Sequence, residues 1–235
     1  MFSVLLTRSV RENYKLAQQL KLYNLKCISC PLIEYQNLQV DYASILNHYS
    51  NIIITSKYGA TLLYDALKCT PINDFRQINL WIVGEISTNI LQLIPCIRIK
   101  YTARDVHDLI HNLPKNLLSD FIYLSANKIT KLLPSQIRRQ IIYNVIYMKT
   151  LEPHIVTELM RGIDYLLLYS RNCARILIKL VIKYDLVDAL RDIVVITISD
   201  KVADIVVTHV NNVVYANHAE QEQMINLLLS HVRKK

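Results

Sequence analysis

With 235 residues, 52% of them hydrophobic, the chain is long enough for one large domain or two small ones and can bury a core in each. Its 27 basic and 19 acidic residues leave a formal charge of +8, which attracts anions. The basic residues stand mostly singly, clustering only at Arg138-Arg139 and Arg233-Lys234-Lys235, and without a stripe or motif they point away from nucleic acid.

The N-terminal run Val4-Leu5-Leu6 is followed at once by Arg8 and Arg11, too short for the apolar core of a signal peptide. Strands are expected near 2–7, 26–33, 51–55, 79–83, 96–100, 120–125, 142–148, 163–169, 192–198 and 211–215, with helical periodicity between them, as in RENYKLAQQLKLY and EQEQMINLLLSHV. This alternation implies an α/β fold of parallel sheets covered on both faces. The longest apolar runs, YLLLY and IVVITI, are strand-length, well under the roughly 20 residues that span a bilayer. A cytoplasmic protein that does not enter the membrane is expected. Five cysteines, an odd number, with Cys27 and Cys30 three apart on a strand-like run and so on opposite faces, read as buried thiols.

The chain repeats itself. NIIITSKYGA, ending a strand at Thr55-Ser56, is echoed by DYLLLYSRNCA with Ser170, 114 residues on from Ser56. NLWIVGEIST ends a strand at Gly84 and VVITISDKVA ends one at Ser199, 115 apart, while Tyr101 and Tyr215 stand 114 apart. The N-terminal stretch from Val4 resembles the one from Phe121, with Thr7 opposite Ser125 at 118. A duplicated five-strand unit has thus been permuted: two strands come first, a whole unit is inserted, and three strands follow. Two similar doubly wound lobes are expected, lobe 1 from 1–35 and 150–235 and lobe 2 from 38–147, joined by two crossings of the chain.

In such sheets ligands bind beyond the carboxyl ends of the strands. Thr7-Arg8, Thr55-Ser56, Gly84 to Ser87, Ser125, Ser170-Arg171 and Ser199 to Lys201 stand there, nearly all with a small hydroxyl beside a helix start. Each hydroxyl suits an N-cap, and together they form a row of anion sites. Other chemistry is poorly served. Only Gly59, Gly84 and Gly162 occur, so neither a G-x-G-x-x-G nor a P-loop fingerprint can be written. His107 and His111 lie four apart around Asp108, where a zincin needs Glu and a third ligand, so a solvated helix face is expected and no metal.

The permuted lobes, the Thr-Ser start after NIIIT, the turn Val83-Gly84-Glu85-Ile86-Ser87 and the segment YNVIYMKTLEP together resemble the uroporphyrinogen-III synthase family over essentially the whole length. The resemblance implies two lobes joined by a two-stranded connector and a cyclising lyase without a cofactor, which closes the linear tetrapyrrole hydroxymethylbilane with loss of water and inversion of ring D; a monomer is expected. Tyr147 matches the tyrosine thought to assist departure of the hydroxyl, and tyrosine as a residue type is protonated at neutral pH. Thr7, Arg8, Ser56, Ser87, Ser125, Ser170, Ser199 and Lys201 are the expected contacts to substrate carboxylates. In the second copy of the Gly-x-x-Thr turn, Ser199-Asp200-Lys201-Val202, both the Gly and the final hydroxyl are gone. Lys201 either compensates or is an ordinary exposed lysine, and Val202→Thr is expected to be tolerated and to favour substrate. The alternative is a non-catalytic two-lobed binding protein for a small polyanionic ligand.

Overall fold

The computed structural model describes residues 1–69, 78–94 and 97–233. In chain order the elements are β1 (Ser3–Leu6), α1 (Val10–Lys21), β2 (Lys26–Ser29), β3 (Ile33–Asn37), α2 (Tyr42–His48), β4 (Asn51–Ile54), α3 (Lys57–Cys69), β5 (Asn79–Val83), α4 (Glu85–Leu91), β6 (Arg98–Ala103) and α5 (Val106–Asn112). A 3-10 turn (Lys115–Asp120) leads to β7 (Phe121–Ala126), β8 (Arg138–Tyr147), α6 (Pro153–Arg161), β9 (Tyr165–Leu168), α7 (Arg171–Lys183), α8 (Val187–Arg191), β10 (Val194–Thr197), α9 (Asp200–Val206), β11 (Asn212–Tyr215) and α10 (Gln221–Val232).

The chain divides into two compact units, one of Met1–Tyr35 with Ile146–Lys235 and one of Gln36–Val145. The first holds a parallel sheet in the order β11-β10-β9-β1-β2. The second sheet runs β3-β8-β7-β4-β5-β6, parallel from β8 to β6. Read from the other edge, β6-β5-β4-β7-β8 corresponds strand for strand to β11-β10-β9-β1-β2. The one difference is that β1 and β2 lead the chain whereas β7 and β8 close their unit, which is the permutation seen in the sequence echoes. Leu38 N donates to Ile142 O and Met148 N to Leu32 O, so β3 and β8 run antiparallel where the chain crosses from one unit to the other.

Both units are doubly wound. In the first, alternate residues of each strand feed opposite cores: Leu5, Leu166, Leu168 and Val195 pack with Ile155, Leu177 and Val202, whereas Val4, Leu6, Tyr165, Leu167 and Ile196 pack with Leu16, Leu20, Met224 and Leu228. Helices α6, α7 and α9 thus cover one face, and α1 and α10 the other. In the second unit Ile53, Phe121 and Tyr123 meet Leu109 and Leu113 of and after α5. The outward alternates Ile52, Ile54, Leu80 and Ile82 are buried as well, as are Ala60, Leu63 and Leu67 of α3.

Three sequence expectations need correction. The strand expected over 26–33 is two, because Pro31 has no N–H for the ladder and β2 stops at Ser29. The strand expected from 142 begins at Arg138, since the parallel partner β7 continues the ladder back to that residue despite its polar lead-in. The strand expected over 96–100 is β6, which runs on to Ala103; position 96 and the Lys234-Lys235 end of the terminal cluster lie outside the described residues. Cys27 faces the second core and Cys30 the first, as opposite faces require, and burial pushes the Cys30 thiol pKa up to about 12. Cys69 is exposed, so not every thiol is interior.

Candidate active site

In the first unit the chain winds away from the β9–β1 boundary in both directions, by α7 on one face and α1 on the other. This is a topological switch point, where a crevice opens beyond the strand ends. Thr7 and Tyr169-Ser170 occupy those ends. Thr7 is 1% exposed and donates its hydroxyl to Leu167 O at 2.6 Å, tying the two strands together. Asn13, also 1% exposed, donates to Leu6 O and Ser29 Oγ and accepts from Arg8 N, which fixes the loop that carries Arg8. Arg8 in turn pairs with Glu12, donates to Gln221 Oε1 at 2.7 Å, and places its guanidinium 4.7 Å from the centre of the Tyr169 ring. The Tyr169 hydroxyl is buried with no hydrogen-bond partner among the described residues, and burial pushes its pKa well up, so it remains a donor.

Ser170 is the N-cap of α7 and accepts from Cys173 N at 3.1 Å. Its neighbour Asn172, in the first turn, donates Nδ2 to Tyr147 Oη at 2.9 Å. The tyrosine at the end of β8 is thereby held against the helix start that follows β9. Ser199 caps α9 through its backbone oxygen, which accepts from Val202 N, Ala203 N and Thr197 Oγ1, and its own hydroxyl makes no cap bond. Lys201 is exposed on α9. Val202 is 3% exposed in the first core, so a side chain at this place in the turn points into the protein.

In the second unit the switch point lies between β4 and β7. Ser56 starts α3: its Oγ accepts from Gly59 N at 3.1 Å and is hydrogen-bonded to Tyr143 Oη at 2.9 Å. A Cβ on Gly59 would stand 2.9 Å from that Oγ, so a larger residue there would push the serine hydroxyl off its present position. Thr55 Oγ1 and Tyr123 Oη are 2.7 Å apart. Ser125, 2% exposed, accepts from Arg139 Nε at 2.8 Å, while Arg139 Nη2 reaches Ala126 O and Asn127 O, so this arginine closes the end of β7 onto β8. Ser87 is 3% exposed inside α4, matching the burial of Val202 in the other copy. Its neighbour Thr88 donates to Gly84 O and meets Thr102 Oγ1 at 3.0 Å.

The structure therefore brings Thr7, Arg8 and Ser170 to one switch point, with Tyr147 held by Asn172 in the first turn of α7, and Ser56 and Ser125 to the other. It buries Ser87 and leaves Lys201 in solvent. Asn172, Tyr143 and Asn13 were missed by the sequence reading. Asn172 follows the repeated hydroxyl by two residues, but its echo in the other copy is Tyr58, so the repeat carries no signal for an amide there. Among the described residues no group of acidic, His and Cys side chains could hold a metal. His107 and His111 lie exposed on α5, with Asp108 taken up by Tyr101 Oη and Arg104 N. No described helix is long and apolar enough to cross a membrane.

Two doubly wound sheets, each with hydroxyls and helix starts at its switch point, define a two-unit α/β protein. The profile of one family, described as uroporphyrinogen-III synthase HemD, matches residues 14–226. The chain belongs to the uroporphyrinogen-III synthase family, whose members are cyclising lyases. It is 34% identical over 281 aligned positions to the uncharacterized protein RP474 of Rickettsia prowazekii, covering 99% of this chain and 100% of that one. The crystal structure of uroporphyrinogen-III synthetase from Helicobacter pylori matches with a TM-score of 0.60 at 17% identity over 98% of this chain and 100% of that one. A mutant synthase from Thermus thermophilus matches equally, TM-score 0.60 at 14% identity over all of both chains. At these identities the two structures speak for the fold, and the profile speaks for the family.

Proposed function

We propose that the protein is a uroporphyrinogen-III synthase acting on hydroxymethylbilane, as a cytoplasmic monomer that binds neither nucleic acid nor membrane. Residues 1–35 with 150–235, and 38–147, serve as its two lobes. The observation that carries the reading is the placement of Tyr147 against the first turn of α7 at a switch point, in a chain of this family. Hydroxymethylbilane closes unaided to the type I isomer, so the protein's task is to hold one conformer and help the hydroxyl leave.

Tyr147 is the group for the second task. As the C–O bond breaks, the oxygen takes the electron pair and the phenol proton and departs as water. The adjacent pyrrole supplies electrons and gives up its N–H proton, which restores the phenol. Ser56, Ser170 and Ser199, with the helix starts they adjoin, receive substrate carboxylates, whereas Ser125, buried beneath Arg139 on a strand that no helix follows, acts from inside. Thr7 and Ser87 shape the strand ends from inside, and Arg8 meets a carboxylate only by loosening from Glu12 and Gln221. Lys201 adds positive charge from solvent. Purified protein given hydroxymethylbilane should yield mainly the type III macrocycle, resolved by chromatography after oxidation. A product mixture matching the spontaneous type I isomer rejects the assignment in favour of a binding protein.

A further inference from the structure

We infer that Asn172 is a positioning residue for Tyr147: it occupies a lone pair of the phenol oxygen and so aims the proton that Tyr147 donates. The inference rests on the proposed role of Tyr147 as the acid. A phenol oxygen has one O–H and acceptor lone pairs about it, and Asn172 Nδ2 donates to that oxygen at 2.9 Å. With a donor on one side, the O–H turns away from Asn172. The same bond stabilises the negative charge that grows on the oxygen as its proton leaves, so it tightens along the reaction.

Asn172 is well placed for this. It sits in the first turn of α7, whose start is fixed by the Ser170 cap on Cys173 N, and whose next residues, Cys173 and Ala174, are buried in the core. The amide therefore hangs from a rigid stretch of backbone, whereas Tyr147 lies at the end of a strand. Asn172 itself is exposed, so changing it removes no core packing.

The test is a double-mutant cycle with saturating hydroxymethylbilane. Asn172→Leu keeps the size of the side chain and removes its donor without adding charge. In the otherwise native protein kcat should fall about tenfold, the worth of one hydrogen bond, with KM changed less than about twofold. In a Tyr147→Phe background the same substitution should change kcat by less than about twofold, because the oxygen it acts through is gone. Equal falls in both backgrounds would mean that Asn172 acts on the substrate or on the fold, and would overturn the inference. So would an unchanged kcat for Asn172→Leu when Tyr147→Phe has lost its rate. If Tyr147→Phe itself turns over at the native rate, the acid assignment fails and the inference falls with it, a result separable from the other two.

Discussion

Val202→Thr separates a hydroxyl at a substrate contact from a hydroxyl inside a core. The family turn favours Thr here, and on sequence alone the substitution restores a binding group. The structure puts Val202 at 3% exposure in the third position of α9, packed within the core of the first unit. Thr has the shape of Val, so no cavity forms, but its Oγ1 must be desolvated, at a cost of about 1–3 kcal/mol unless it finds an acceptor. A helical Thr can turn back to the carbonyl three or four residues earlier. Three residues back is Ser199 O, which already accepts from Val202 N, Ala203 N and Thr197 Oγ1. Relief is therefore partial and the net cost should be about 1–2 kcal/mol. For a chain of this size 1 kcal/mol moves Tm by about 2–4 °C, so the expected fall is about 2–8 °C, with KM for hydroxymethylbilane unchanged. Thermal unfolding and steady-state kinetics on the same preparation decide it. An unchanged Tm with a lowered KM would show that position 202 faces substrate and that its burial has been misjudged.

Three other outcomes are expected. Cys30, with its thiol pKa pushed up to about 12 by burial, should resist iodoacetamide at pH 8 until the protein is unfolded, while exposed Cys69 reacts; peptide mass spectrometry that finds both modified at similar rates in the native protein would contradict the packing. Gly84 has φ of 86° and ψ of 138°, a region open to glycine, so Gly84→Ala should cost about 1–3 kcal/mol although the space around it is empty; urea unfolding with an unshifted midpoint would refute this. Asp164 accepts from both Ser3 N and Ser3 Oγ at 2.8 Å, joining the starts of β9 and β1, and Asp164→Ala should lower stability by about 1–3 kcal/mol with the rate at saturating substrate intact.

The architecture was legible because it is written in short continuous apolar runs and repeated. A strand such as Tyr165–Leu168 must bury both faces, and four apolar residues in a row followed by Tyr-Ser-Arg at a helix start leave few alternatives. The echo 114 residues away then fixes which strands are equivalent, so the two sheets share one strand order, and the order itself comes from the structure. What the sequence hid is direction. In a spacing argument Ser87, Val202 and Ser170 are all residues at strand ends, yet Ser170 lies at the N-cap, where a side chain turns back over the free N–H groups, whereas Ser87 and Val202 are inside the first turn of α4 and α9 and point to the core. Three residues of helix convert a hydroxyl that caps a helix into one that fills space. Arg8 was hidden in a second way, because its partners Glu12, Gln221 and Tyr169 include two that are distant in sequence. Tyr147 shows the remaining limit: the strand that carries it was visible, but the amide across from it comes from α7, and pairing them requires knowing that β8 delivers its last residue beside the start of that helix. The hydroxyls at the two switch points follow from topology, and the hydrogen bond from Asn172 to Tyr147 follows only from the three-dimensional structure.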